Sequence, residues 1–199
     1  MSQIELPTTA KRVDAARNIA RILDAATAVF SEDPAAGMGE VAERAEVGRA
    51  TLYRHFPSRD ELIEAIRARA RREAVEAVEA CPVDQGSALE CIENLVRVVI
   101  EQGDRYRFLH RDPKSPNSID RETRERCAAV MHTAIERGQR RGELSRAIPA
   151  EAGALAMRAL MLAAIEELSN GRFSQAEAEQ FVCRMVIHGL SPVPREKTE

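Results

Sequence analysis

Between residues 49 and 59 the chain gathers Arg49, Thr51, Tyr53, Arg54, His55 and Arg59, with the small Ala50 among them and no carboxylate before Asp60. Guanidinium, hydroxyl, phenol and imidazole groups all donate hydrogen bonds. An arginine can pair two such bonds at once with a phosphate or with a guanine edge. A face meant only for water mixes in acids, so this arc suits a polyanion.

Other chemistry finds little support. His55, His110, His132 and His188 have no serine, cysteine or carboxylate at a recognisable catalytic spacing, and no glycine-rich phosphate loop occurs. The four cysteines, Cys81, Cys91, Cys127 and Cys183, stand far apart without CxxC or Cys/His ligand spacing, indicating neither a disulfide framework nor a zinc site. No catalytic residue, metal or cofactor is expected, and the chain reads as a non-enzyme.

The donors need a frame, and the spacing around them supplies one. Val41, Ala42 and Ala45, followed by Val47, form a short apolar face at helical period. After a break at Glu46-Val47-Gly48, a second short helix runs from Arg49 to Phe56, with Leu52 and Phe56 four apart and facing inward. Two short helices joined by a tight turn make a helix-turn-helix, whose second helix is sized for a major groove. Arg49, Ala50, Thr51 and Arg54 then project outward, flanked by Tyr53 and His55. Arg49 has two open roles, a bidentate guanine contact and a phosphate clamp. Ala50 can meet a thymine methyl or simply let the backbone approach, and Arg54 points most directly outward.

Thr51-Leu52-Tyr53-Arg54-His55-Phe56, with Ala-x-x-Ala-x-Val before it and Pro57-Ser58-Arg59-Asp60-Glu61-Leu62 after it, resembles the DNA-binding domain of TetR-family transcriptional regulators. The resemblance runs from about Ile19 to Ile66. It implies phosphate or base contacts for Thr51, Tyr53 and His55, and for Arg59, which matches a usual lysine. Packing on the first helix is the other role open to Tyr53. The chain departs from the family pattern at Gly37 and Gly39, which flank Met38 where a Thr or Ser usually caps helix 2 and touches phosphate. It departs again at Glu46, where the turn usually has Gly, and at Gly48, where a Ser usually caps the third helix. Glu46 must therefore take an unfavourable positive φ or distort the turn.

At 199 residues, with 44% hydrophobic and 31% charged residues, the chain can bury a sizeable core. Its net charge of −3 excludes bulk coating of nucleic acid but not a local basic site. No apolar run approaches the ~20 residues of a membrane span, and no basic-then-apolar leader precedes the first helix, so a cytoplasmic protein without membrane partners is expected. Strand signals are nearly absent, and good helix formers dominate. The expected fold is all-α: residues 1–57 a helix-turn-helix DNA-binding domain reaching into the start of helix 4 to about 66, and residues 58–199 a helical effector-binding and dimerisation domain.

In order, an arm over residues 1–12 carries Lys11 and Arg12. Helix 1 spans Asp14 to Ser31 with Ile19, Ile22, Leu23, Ala26 and Phe30 on one face. Ser58-x-x-Glu61 is a capping box opening helix 4, whose Arg67, Arg69, Arg71 and Arg72 read as a solvated face with acidic partners. Cys81-Pro82 ends it, leaving Cys81 as the one thiol expected to be exposed. Helices follow from Ser87, from Asp120 to about Arg141, from Ala150 to Asn170, and from Ser174 to His188. A loop falls at 111–118, and a loose tail follows Pro192.

Between Ala152 and Ile165 the only charge is Arg158, so that helix must bury two faces. Phe181, Val182, Met185 and Val186 repeat the pattern on the last helix. An identical pair of helices covers such a surface best, giving a homodimer through Leu155, Arg158, Leu162, Ile165, Phe181 and Met185. The family resemblance implies the same dimer. It also implies a small-molecule effector cavity in the second domain, near Leu95, Val99, Phe108, His110, Cys127, Met131, Met157 and Met161. Polar groups at Arg105, Tyr106, Arg107 and His110 crowd its expected mouth.

Two functions follow. One is a dimeric repressor that binds a double-stranded DNA operator and is released by an effector. The alternative is an all-α macromolecular interaction protein with a vestigial helix-turn-helix.

Overall fold

The computed structural model describes residues 8–111 and 120–191. Eight α-helices are present among them: α1 (Thr8–Glu32), α2 (Met38–Arg44), α3 (Arg49–His55), α4 (Arg59–Glu79), α5 (Ala88–Arg105), α6 (Arg121–Arg141), α7 (Ala150–Ser169) and α8 (Gln175–Leu190). A short 3-10 turn, Arg107–Arg111, follows α5. The fold class matches the expectation. Helix α1 begins earlier than Asp14, because no glycine or proline interrupts the good helix formers after Pro7. Lys11 and Arg12 therefore lie on helical backbone rather than in an arm. The expected loop at 111–118, apart from Arg111, and the tail beyond Ser191 lie outside the described residues.

The chain divides into two compact units, Met1–Arg69 and Ala70–Glu199, with α4 running through the boundary. In the first unit, α1 packs on α2 and α2 on α3. Ile22, Ala26, Phe30, Val41, Leu52, Leu62 and Ile66 are buried, while Ile19 sits at the edge of the α1 stripe, 36% exposed. Cap chemistry fixes the helix starts. Glu40 reaches back to accept from the Gly37 N–H at 2.9 Å, replacing half of the cap that a glycine cannot make. The Ser58 hydroxyl accepts from the Glu61 N–H at 3.1 Å, as the capping box requires.

The turn between α2 and α3 is closed by two reverse bonds. The Val47 N–H donates to the Ala42 carbonyl at 3.0 Å, and the Glu46 N–H to the Glu43 carbonyl at 3.0 Å. This is a Schellman motif, which needs its penultimate residue in the left-handed region. Glu46 takes that place with φ 52°, so the turn keeps its shape and the residue carries the strain. Arg21 of α1 braces it, donating to the Ala45 carbonyl at 2.8 Å and to the Glu46 carboxylate at 3.4 Å. Glu46→Val is therefore expected to destabilise the protein by roughly 1–2 kcal/mol, since a β-branched residue tolerates positive φ worst. Glu46→Gly should be close to neutral, because relief of strain offsets one exposed ion pair and some added chain entropy. Denaturant unfolding followed by circular dichroism measures both, and equal losses would refute the strain argument.

In the second unit α5, α6, α7 and α8 pack on one another around a core of Ile92, Leu95, Val96, Ile100, Ala134, Ile135, Met157, Met161 and Val182. Buried Arg137 of α6 anchors the approach to α5 by donating to the carbonyls of Gln85, Gly86 and Ser87. No described helix is long and apolar enough to cross a membrane.

Candidate nucleic-acid interface

Helix α3 starts on Gly48, whose carbonyl accepts from the N–H groups of Thr51 at 2.9 Å and Leu52 at 3.1 Å. Leu52 is fully buried and Phe56 nearly so, which rolls the opposite arc outward. Arg49, Ala50, Tyr53 and Arg54 are exposed, and Thr51 and His55 are half-buried. Tyr53 is 48% exposed, so its ring is not packed away on α1.

Charge pairing separates the arginines of this unit. Arg44 pairs with Glu32 at 3.1 Å, Arg67 with Glu64 at 3.4 Å, and Arg69 with Asp24 at 2.6 Å. Arg49 and Arg54 have no hydrogen bond or ion pair among the described residues. Two unpaired guanidiniums on one exposed helix form a local positive site on a chain of net charge −3.

Arg59 needs correction as a free donor. Its guanidinium lies 4.7 Å from the centre of the Phe30 ring and donates to the Pro34 carbonyl at 2.5 Å. The residue ties the start of α4 to the α1–α2 connection, and so shapes the motif rather than facing outward. Arg21 at the turn is the motif's other shaping residue. Sequence reading does not find Arg21, because its partners lie 24 and 25 positions away.

All four arginines of α4 find the expected acidic partners, although the side chains of Arg67 and Arg69, in the first unit, are only 11% and 15% exposed rather than solvated. Besides Arg67 and Arg69, Arg71 pairs with Asp120 at 3.3 Å and Arg72 meets Glu76 at 3.9 Å. The expected effector residues lie in the helical bundle or at its edge. Leu95, Met131, Met157 and Met161 are buried in the bundle core, and Phe108 is nearly so. Val99, His110 and Cys127 are half-buried. A groove of about 500 Å³ lies between α5 and α8, lined by Glu90, Glu93, Asn94, Arg97, Ala176, Glu179, Gln180 and Cys183. None of the expected residues is among these. The crowd at Arg105 and Tyr106 is also internally engaged: the Tyr106 hydroxyl donates to Glu73 at 2.7 Å and Arg105 pairs with the same carboxylate at 3.2 Å.

The surface for a second copy divides. Leu155 is 58% and Met185 52% exposed, while Arg158, Leu162 and Phe181 are half-buried. Phe181 stacks on Phe173 with ring centres 5.7 Å apart. Ile165 is a correction: it is buried within the protomer's own core, over Gly103, where the missing side chain makes room for it. Cys81 is a second correction, being buried with its thiol directed at the Ala77 carbonyl, 3.4 Å away.

A short, exposed helix carrying unpaired cations, set by a tight turn against a preceding helix, defines the class of helix-turn-helix proteins. Residues 22–66 match the family model of bacterial regulatory proteins, tetR family. The chain is 29% identical over 92 residues to the transcriptional repressor LfrR of Mycolicibacterium smegmatis, a match covering 46% of this chain and 49% of LfrR, so it spans only about half of that relative. It is 22% identical over 175 residues to the transcriptional regulator NfxB of Pseudomonas aeruginosa, covering 86% of this chain and 93% of NfxB. The crystal structure of LfrR with proflavine has the same fold at a TM-score of 0.64 and 21% identity, covering 89% of this chain and 98% of that one. The SmeT–triclosan complex aligns at a TM-score of 0.62 and 19% identity, covering 92% and 98%.

Proposed function

We propose that this chain is a dimeric transcriptional repressor that binds a double-stranded DNA operator in the cytoplasm and is released by a small-molecule effector. It is not an enzyme. Residues 1–57, reaching to about 66, hold the DNA-binding part, and residues 58–199 hold the effector and dimer parts. One observation carries the reading: Arg49 and Arg54 stand exposed and unpaired on α3, while Arg44, Arg67 and Arg69 nearby each have an acid. A vestigial motif has no reason to keep that arc free of acids. Ala50, Thr51, Tyr53 and His55 complete the reading surface.

The test is selection of bound duplexes from a random pool, followed by titration across salt. A recurrent pair of half-sites, with affinity falling linearly in log–log form between about 50 and 200 mM salt, supports the reading. No enrichment, or binding indifferent to salt, would reject it.

LfrR bound to proflavine and SmeT bound to triclosan support a small-molecule effector. Met131, Met157 and Met161 are the side chains around which such a site would open, since unbranched thioethers repack readily. Oxidation is a poor competing signal. Burial pushes the thiols of Cys81, Cys91 and Cys127 upward. Burial, with Glu93 and Glu179 adding to it, pushes the Cys183 thiol up to about 11. A raised folded value means that protonated Cys183 supports folding at neutral pH, and that this support is lost as pH rises towards 11. Thiolate is the reactive form, so alkylation at pH 7.5 should run far slower in the native protein than in urea. Peroxide should leave operator affinity unchanged. A peroxide-induced loss that disappears when all four cysteines are serine would reverse this assignment.

A further inference from the structure

Arg49 is not held by any acid, yet it has a seat. A β-carbon built on Gly39 would lie 3.0 Å from Arg49 Nη2, 3.4 Å from Cζ and 3.6 Å from Nε. The guanidinium therefore lies back across α2, in the space that a side chain at 39 would fill. Gly39 has no backbone reason to be glycine, because its φ is not among the positive ones. Alanine would be the better helix former there. What the missing side chain supplies is room for Arg49.

That seat decides between the two roles open to Arg49. In a helix-turn-helix the first helix crosses the sugar–phosphate backbone, while the outward arc of the second reads base edges. A guanidinium drawn back over α2 sits on the backbone side of the motif. We propose that Gly39 is a positioning residue for DNA binding, seating the Arg49 guanidinium where it clamps a backbone phosphate rather than reading a base. This inference rests on the DNA-binding reading above. It also accounts for α2, which lacks a Thr or Ser at Gly37 or Gly39: an arginine ten positions after Gly39 takes over the contact. Base discrimination then falls to Ala50, Thr51, Tyr53, Arg54 and His55.

The experiment uses the full chain, the duplex selected by it, and an unrelated duplex of equal length. Arg49→Ala should lower affinity for both duplexes by a similar factor, about tenfold at 0.1 M salt, and reduce the salt slope by about 1 per protomer. The base preferences from a fresh selection should not change. Gly39→Leu fills the seat with a side chain that donates nothing, and should reproduce that loss in an Arg49 background. In an Arg49→Ala background it should have little further effect. Gly39→Ala, whose β-carbon needs only a small shift of the guanidinium, should fall between. Leucine favours helix more than glycine does, so a matched melting midpoint checks that the fold is intact.

A changed preference at one base pair per half-site with Arg49→Ala would overturn the phosphate assignment. Equal losses from Gly39→Leu in the two backgrounds would overturn the seat. If the unmutated chain binds neither duplex, the DNA-binding reading fails and the inference falls with it.

Discussion

Gly138→Ala is expected to destabilise the protein by about 2–3 kcal/mol, although alanine is the better helix former. Gly138 is buried in α6, and a β-carbon there would sit 2.5 Å from Cβ of Ala88 and 2.7 Å from Cδ1 of Leu144. Ala88 is fully buried and opens α5, so its β-carbon moves only if the helix backbone moves. Close-packed interiors absorb such an insertion by shifting helices. Gly103→Ala meets a softer obstacle. Its β-carbon would fall 2.6 Å from Cγ1 and 2.8 Å from Cδ1 of Ile165, a side chain with two rotatable bonds. Its loss should be smaller, about 1–2 kcal/mol. Ile165→Ala should reduce it further in the double variant, since the three nearest atoms all belong to Ile165. Urea unfolding of the unmutated chain, Gly138→Ala, Gly103→Ala, Ile165→Ala and the Gly103→Ala/Ile165→Ala double variant measures this. An equal or larger loss for Gly103 would show that the α5–α7 contact is the rigid one.

Those contacts mark where sequence reading reaches and where it stops. The donors of α3 are legible because the rule is local: Leu52 and Phe56, four apart, roll inward and so turn Arg49, Ala50, Tyr53 and Arg54 outward. Caps at Ser58, Ser87, Asp120 and Ser174 are legible for the same reason, each being a side chain and an amide three residues apart. Glu46 was legible as a conflict, and the structure resolves it by positive φ. The missed features all join distant positions. Arg59 stacks on Phe30, Arg21 bonds the turn 24 residues ahead, and Ile165 fills the gap at Gly103. Periodicity shows that α7 is apolar nearly all round, but not which side faces its own core. Ile165 and Leu155 are thus equivalent in sequence, and one is 5% and the other 58% exposed. Apolar spacing likewise places Leu95, Met157 and Met161 inside the bundle, where they are buried, but says nothing of which neighbours they meet.

That division of α7 carries the remaining prediction. Gly153, Ala154, Met157, Met161, Ala164 and Ile165 are buried, while Ala152, Leu155, Ala156, Ala159 and Ala163 form an exposed apolar face. On α8, Met185 is exposed likewise. Small residues along the α7 face let a second backbone approach closely, and a two-fold axis would use each residue twice. Leu155→Glu places two carboxylates in such an interface, opposed by desolvation and by each other. Because Leu155 packs little within its own protomer, the change should leave the fold intact. It should weaken the dimer by about 100-fold or more. Met185→Glu should act the same way, while Ile165→Ala should lower the melting midpoint through the core. Sedimentation at micromolar concentration, with circular dichroism alongside, separates the outcomes. A monomeric unmutated chain, or a Leu155→Glu variant that stays dimeric, would show that this face is not the interface. Loss of operator affinity in step with dimer loss would add that both half-sites are needed at once.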